Sequence, residues 1–346
     1  RDRGTNTLRQ ARNGPEFLER ARAALGHPVE IIGGREEARL IYLGVAHTVA
    51  GDGERRLVID IGGGSTEHII GQGFDVLEAD SLFMGCVSYS LRFFPDGKIT
   101  KEGFRQARIA AQLELESVAR RYRRLGWRSV VGCSGTVHAI EEIGRANGWG
   151  ADGITLKTLK KLRKALVVAG DAQAVRLDGL QQDRRPVIAG GVAILEACFE
   201  ALQLERMVPS PGALREGLLY DLLGRLRHED VRERTIRWFC ERYGLDEERA
   251  AVVEDTALAL LDQVAVAWEL KGNWPVRVLS WAARLFEIGL TISHTGYHKH
   301  GAYIVSHADM AGFSRDDQSA LAALIRGHRR KLHLSLIHIS EPTRLC

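Results

Sequence analysis

The chain has 346 residues, of which 45% are hydrophobic and 27% charged, the ordinary composition of a soluble protein with room for two or three domains. Its net charge of +4 and pI near 8.8 suit a polyanionic ligand without demanding one. The five cysteines form no C-x-x-C and no even framework, which reads as a reducing, cytoplasmic setting; no apolar run approaches a membrane span and no signal peptide is visible.

In chain order, "GTNTLRQARN" (Gly4 to Asn13) is a polar turn entering a helix, and Pro15 to Leu25 reads as a short amphipathic helix. Val29 to Ile32 reads as a strand and Glu36 to Val49 as a helix. The stretch "LVIDIGGGSTEHIIG" (Leu57 to Gly71) predicts a hairpin: a strand buried on both faces, a three-glycine turn, then a second strand from Thr66 to Ile70. Phe104, Ala107, Ala111, Leu115, Val118, Tyr122 and Leu125 recur at helical spacing, with Gly126 as a stop. Ser129 to Val131 is a strand feeding "GCSGT" (Gly132 to Thr136) and a helix. Thr155 opens a basic helix, Val187 to Leu202 reads as a buried turn and helix, and Gly212 to Arg225 closes this unit with another. From Glu229 the pattern becomes helix after helix, punctuated by Gly244, Gly272 and Pro275. No long-period repeat or low-complexity segment is visible.

The chemistry concentrates at the glycine turn. Asp60 inside an apolar strand has a desolvation cost and needs a partner. Gly62, Gly63 and Gly64 allow close backbone approach and tolerate positive φ, so the turn could present N–H groups and the Ser65 and Thr66 hydroxyls to an anion, with Asp60 and Glu67 at its shoulders. The alternative is a tight sheet turn with a satisfied buried aspartate; a Walker loop is excluded because G-K-[ST] is absent. Glu36 and Glu37 are either favourable charges at a helix N-terminus or the source of a general base that aligns water. Thr5, Thr7 and Arg9 could bind phosphate. Basic clusters at Arg120, Arg121, Arg123, Arg124 and Arg128, at Lys157, Lys160, Lys161 and Lys164, and at Arg184 and Arg185 are either solvated faces or a track for a long polyanion. His294, His298, His300 and His307 lack metal-ligand spacing and read as surface or capping residues. Cys86 to Arg92 has the C-x₅-R spacing of cysteine phosphatases, but "VSYSL" between them has no glycine to wrap a phosphate.

The segments "GREEARLIYLGVAHT", "LVIDIGGGSTEHIIG", "MGCVSYSLRFFPDGKIT", "GCSGT", "GALREGLLYDLLGR" and "LFEIGLTISHTGYHKHGAYIV", taken together and in order, resemble the exopolyphosphatase / guanosine pentaphosphate phosphatase family, closest to the exopolyphosphatase branch with extra helical domains. The resemblance implies an α/β fold of actin-like ATPase (ribonuclease H-like) lobes followed by an all-α HD-like domain. The expected boundaries are 1–134 for a partial first lobe, 135–226 for a second, 229–333 for the helical domain and 334–346 for an artefactual tail. It implies Mg²⁺-dependent, processive release of terminal phosphate from inorganic polyphosphate, with guanosine pentaphosphate hydrolysis or a non-catalytic polyanion-binding fragment as alternatives. By motif, Glu37 is the base, Asp60 and Glu67 the metal carboxylates, and Arg9, Gly63, Gly64, Ser65 and Thr66 the phosphate contacts. "GCSGT" takes the place of the adenosine motif of actin-like ATPases. A cytoplasmic homodimer with peripheral membrane association, and no nucleic-acid partner, belongs to the same expectation.

Departures from the family pattern are visible. No Asp-Leu-Gly-Ser-Asn-Ser type loop occurs in the chain, His68 stands at a usually apolar strand position, Pro211 replaces a common aspartate, and Phe286 takes the histidine place of a degenerate "HE" pair. Residue 1 is an arginine, and "LSLIHISEPTRLC" (Leu334 to Cys346) resembles a translated sequencing adaptor, so the chain reads as a fragment that could be inactive even where its parent is an enzyme.

Overall fold

The computed structural model describes residues 2–49, 53–150, 152–226 and 230–329, so the 334–346 tail lies outside the described residues. Its elements are β1 (Asp2–Gly4), α1 (Asn6–Gln10), α2 (Gly14–Leu25), β2 (Val29–Ile31), α3 (Gly34–Thr48), β3 (Arg55–Ile61), β4 (Thr66–Gln72), β5 (Asp75–Leu82), α4 (Cys86–Phe93), α5 (Lys101–Leu125), β6 (Ser129–Cys133) and α6 (Ser134–Ala146). These are followed by α7 (Leu156–Ala169), α8 (Ile188–Leu202), β7 (Val208–Pro209), α9 (Leu214–Leu226), α10 (Val231–Tyr243), α11 (Glu247–Val264), α12 (Trp274–Leu285), α13 (Tyr297–His307) and α14 (Arg315–Gly327). They divide into two compact units. One comprises Thr5–Gly14 and Glu37–Leu226; the other comprises the described residues of 1–4, 15–36 and 227–346.

The larger unit is built on a five-stranded sheet of order β5-β4-β3-β6-β7. The β3–β4 and β4–β5 pairs are antiparallel, whereas β3–β6 and β6–β7 are parallel. Both faces of β3 are covered, which explains its near-continuous apolar run. Leu57, Ile59 and Ile61 join a core with Phe104, Ala107, Ala111 and Leu115 of α5 and most of α8. Val58 and Ile69 point the other way, onto Ala38, Ile41, Tyr42 and Val45 of α3. The Thr100 hydroxyl caps α5 by accepting from the Gly103 N–H at 2.9 Å, and Gly126, at φ 71°, ends it where the periodicity expects.

The smaller unit contains the parallel β1–β2 pair and the helices from α10 onward. Its core is Ile236, Phe239, Trp281, Leu285, Leu321 and Ile325 with their neighbours. Asp230 caps α10 through the Arg232 N–H, and its carboxylate also accepts from the Arg277 guanidinium at 2.7 Å. Of the four histidines expected at the surface, His298 is instead buried, because it packs edge-on against His328, which Phe286 also meets edge-on and whose Nε2 lies 3.2 Å from the Tyr297 hydroxyl. Among the described residues no group of three His, Cys, Asp or Glu side chains forms a ready metal cage. No helix among them is long and apolar enough to cross a membrane.

Candidate active site at the glycine turn

Strand alternation puts Asp60 on the same face as Val58, beneath α3, and the β3–β4 register sets Glu67 directly opposite Asp60. Glu37 lies four residues before Ile41, so it occupies the same face of α3 one turn nearer the helix N-terminus. Packing of Ile41 over the sheet therefore carries Glu37 towards the end of the hairpin. Glu37, from the preceding helix, thus comes within electrostatic reach of the Asp60–Glu67 pair of the hairpin.

Their electrostatics record the meeting. Burial pushes the Asp60 carboxyl up to about 7, and the charge of Glu37 adds to the effect. Burial, then Glu37, then Asp60 push Glu67 up to about 8, against hydrogen bonds from Ser81 and Ser65 that favour its ionised form. Burial also raises Glu37, while the charge and hydrogen bond of Arg9 and a hydrogen bond from Thr5 hold it down. Arg9 Nη1 donates to Glu37 Oε2 at 3.2 Å.

The turn itself is fastened from outside. Gly62 N–H bonds to Ser65 O at 2.9 Å, and the carbonyls of Gly62 and Gly63 accept from Cys86, Val87 and Ser88 at the start of α4. Among the described residues, no backbone acceptor takes the N–H groups of Gly63, Gly64 or Ser65. Backbone N–H groups left without a backbone acceptor in such a turn are the kind of donor that can bind an anion.

The reason for the glycines differs from the expected one. None of Gly62, Gly63 and Gly64 has positive φ. At Gly64 the constraint is close approach, since a Cβ there would lie 2.3 Å from Asn6 Nδ2; outside the triplet, a Cβ on Gly85 would lie 2.3 Å from Gly63 O. The two hydroxyls expected to face the anion are engaged within the protein. Thr66 Oγ1 donates to Met84 O at 2.5 Å, and the Ser65 hydroxyl bonds the Glu67 carboxylate.

The adjacent glutamates of α3 separate cleanly. Glu36 Oε2 accepts from the Gly312 N–H at 2.8 Å, inside the smaller unit, whereas Glu37 belongs to the carboxylate group of the larger one. Cys86 is a buried thiol at the start of α4. The basic clusters are partly neutralised: Arg121 pairs with Asp80 at 2.5 Å and Glu78 at 3.1 Å, and Arg128 with Glu54 at 3.4 Å. Lys157, Lys160, Lys161 and Lys164 share one exposed face of α7.

Two residues beside the site, Ser81 and Asn6, escaped the sequence reading, while Thr5, read as a possible phosphate contact, meets Glu37. Ser81 donates to Glu67 Oε1 at 2.7 Å, which only the β4–β5 register could reveal. Asn6 is buried against Gly64. Thr7, considered with Thr5, is exposed.

Residues 3–226 match the Ppx/GppA phosphatase family, and residues 231–343 match Ppx/GppA phosphatase, domain III. The chain belongs to the Ppx/GppA phosphatase family. It is 44% identical over 331 residues to a guanosine-5'-triphosphate,3'-diphosphate pyrophosphatase of Aeromonas hydrophila, covering 96% of this chain and 66% of that protein. A protein of the same name from Pseudoalteromonas translucida is 43% identical over 328 residues, covering 95% and 66%. The chain thus spans about two thirds of the length of these curated relatives. The Aquifex aeolicus PPX-GPPA enzyme superposes with TM-score 0.53 at 29% identity, over 63% of this chain and 73% of that one. An exopolyphosphatase from Cytophaga hutchinsonii superposes with TM-score 0.57 at 24% identity, over 64% and 73%, a likeness of fold. The α/β region has the actin-like ATPase fold of this family, and a helical domain III follows it.

Proposed function

We propose that this chain carries the catalytic site of a phosphohydrolase that releases the terminal 5'-phosphate of guanosine pentaphosphate. The observation that carries the hydrolytic reading is the convergence of Glu37, Asp60 and Glu67 beside a turn with three available N–H donors. The nucleotide is preferred over the inorganic chain because the relatives matched along nearly all of this chain bear the guanosine nucleotide name. This reverses the order expected from the sequence, which favoured polyphosphate.

In this reading the N–H groups of Gly63, Gly64 and Ser65 grip oxygens of the terminal phosphate, and Arg9 adds a guanidinium beside them. Glu37 accepts a proton from water as the water attacks phosphorus, and its raised proton affinity suits a base. Asp60 and Glu67 fit a divalent cation. They face each other across one strand pair, burial and mutual repulsion leave them short of positive charge, and Mg²⁺ characteristically takes one or two carboxylates with waters and phosphate oxygens completing its shell. When bound there, Mg²⁺ would neutralise charge on the phosphate oxygens.

The second reading is an exopolyphosphatase, favoured by the exposed lysine face of α7, which suits a long polyanion. Orthophosphate release from guanosine pentaphosphate and from long-chain polyphosphate, measured on one preparation, separates the two. Preference for the nucleotide is expected; release from polyphosphate alone would transfer the assignment to the second reading.

A further inference from the structure

The segment from Thr5 to Arg9 bridges the two halves of the site. Thr5 and Arg9 both hydrogen-bond Glu37, while Asn6 between them lies against Gly64 of the turn. Asn6 is only 8% exposed. Its Oδ1 is buried and, among the described residues, has no hydrogen-bond partner. A buried amide oxygen left unpaired is costly, and in a native fold it points to a partner that arrives with a ligand or water.

Resting on the hydrolytic reading above, we propose that Asn6 Oδ1 holds the attacking water between Glu37 and the terminal phosphorus. Water has two hydrogens to place. One is directed at the Glu37 carboxylate and is transferred to it as the new O–P bond forms. The other is held by Asn6 Oδ1 and remains on the departing orthophosphate. The bond from phosphorus to the bridging oxygen breaks, and its electron pair leaves with the shortened chain. Two acceptors fix the water's lone pair along the line of attack, which a single carboxylate cannot do. The role also explains why Gly64 has no side chain: a Cβ there would occupy the position of the Asn6 amide.

The test uses N6A and N6D in the whole protein, with kcat, KM and melting temperature measured on guanosine pentaphosphate and tripolyphosphate. N6A is expected to lower kcat by about 100-fold on each substrate that wild type turns over, with KM nearly unchanged. N6D, which keeps an acceptor oxygen, is expected to recover much of that loss. A rise in KM at unchanged kcat would overturn the proposal in favour of phosphate binding. So would equal loss in N6A and N6D accompanied by a fall in melting temperature, the mark of a packing role. The underlying reading fails separately: if E37Q leaves turnover intact, no water is held by Glu37 and the inference falls with it.

Discussion

Asp60 and Glu67 are direct partners across the antiparallel β3–β4 pair, two buried carboxylates at one rung of a sheet. Burial raises both carboxyls, the charge of Glu37 adds to each and that of Asp60 to Glu67, so both hold protons far above their ordinary values of 3.8 and 4.5.

Stability without metal is therefore expected to fall as pH rises from 6.5 to 8. In that window the unfolded carboxylates are ionised while the folded ones retain protons until pH passes about 7 for Asp60 and about 8 for Glu67. The folded state binds more protons, so the unfolding free energy decreases with pH, by an amount on the order of 2 kcal/mol. His68, pushed down to about 4 by burial, works in the opposite sense, losing stability as pH falls below its ordinary 6.5, so the window is set above that value. Mg²⁺ is expected to raise the melting temperature more at pH 8 than at pH 6.5, because a carboxylate must lose its proton to bind metal. Thermal melts of wild type and D60N across this range check both; a pH-independent melt in wild type would contradict the electrostatics.

The adjacent glutamates of α3 are expected to part company under mutation. E37Q should lower turnover by roughly 10²–10⁴-fold while nucleotide binding persists. E36A should leave the buried Gly312 N–H without that acceptor and cost about 1–3 kcal/mol of stability. Single-turnover kinetics and chemical denaturation of the two variants distinguish these outcomes; equal kinetic defects in both would contradict the separation.

Gly85 carries a constraint that its sequence context hides. An added Cβ would meet the Gly63 carbonyl at 2.3 Å and Gly64 N at 2.4 Å, both rigid backbone atoms. G85A is expected to displace the turn and abolish turnover, and its cost in stability should fall in the overpacking range of about 1–3 kcal/mol. Activity and melting temperature close to wild type would show that the turn yields more readily than its hydrogen bonds to α4 imply.

Much of the fold is legible before any coordinates. The apolar run of Leu57 to Ile61 against the 3.6-residue rhythm from Phe104 to Leu125 separates strand from helix, since each periodicity reflects one buried face. The hairpin, the helix stop at Gly126 and the helical texture after Glu229 follow in the same way. Local chemistry also names the glycine turn, Asp60 and Glu67, because an acidic residue within a buried strand and three consecutive glycines are locally expensive.

What the linear order could not decide was which distant groups meet. Nothing local distinguishes Glu36 from Glu37; the helical phase of α3 against the sheet sends one to Gly312 and the other to Arg9. Nor could it show that Gly64 yields space to Asn6, and Gly85 to the turn, rather than adopting left-handed backbone. Periodicity and desolvation act along the chain and are written in it, whereas charge repulsion, steric exclusion and unpaired acceptors depend on distances that exist only after the chain has folded.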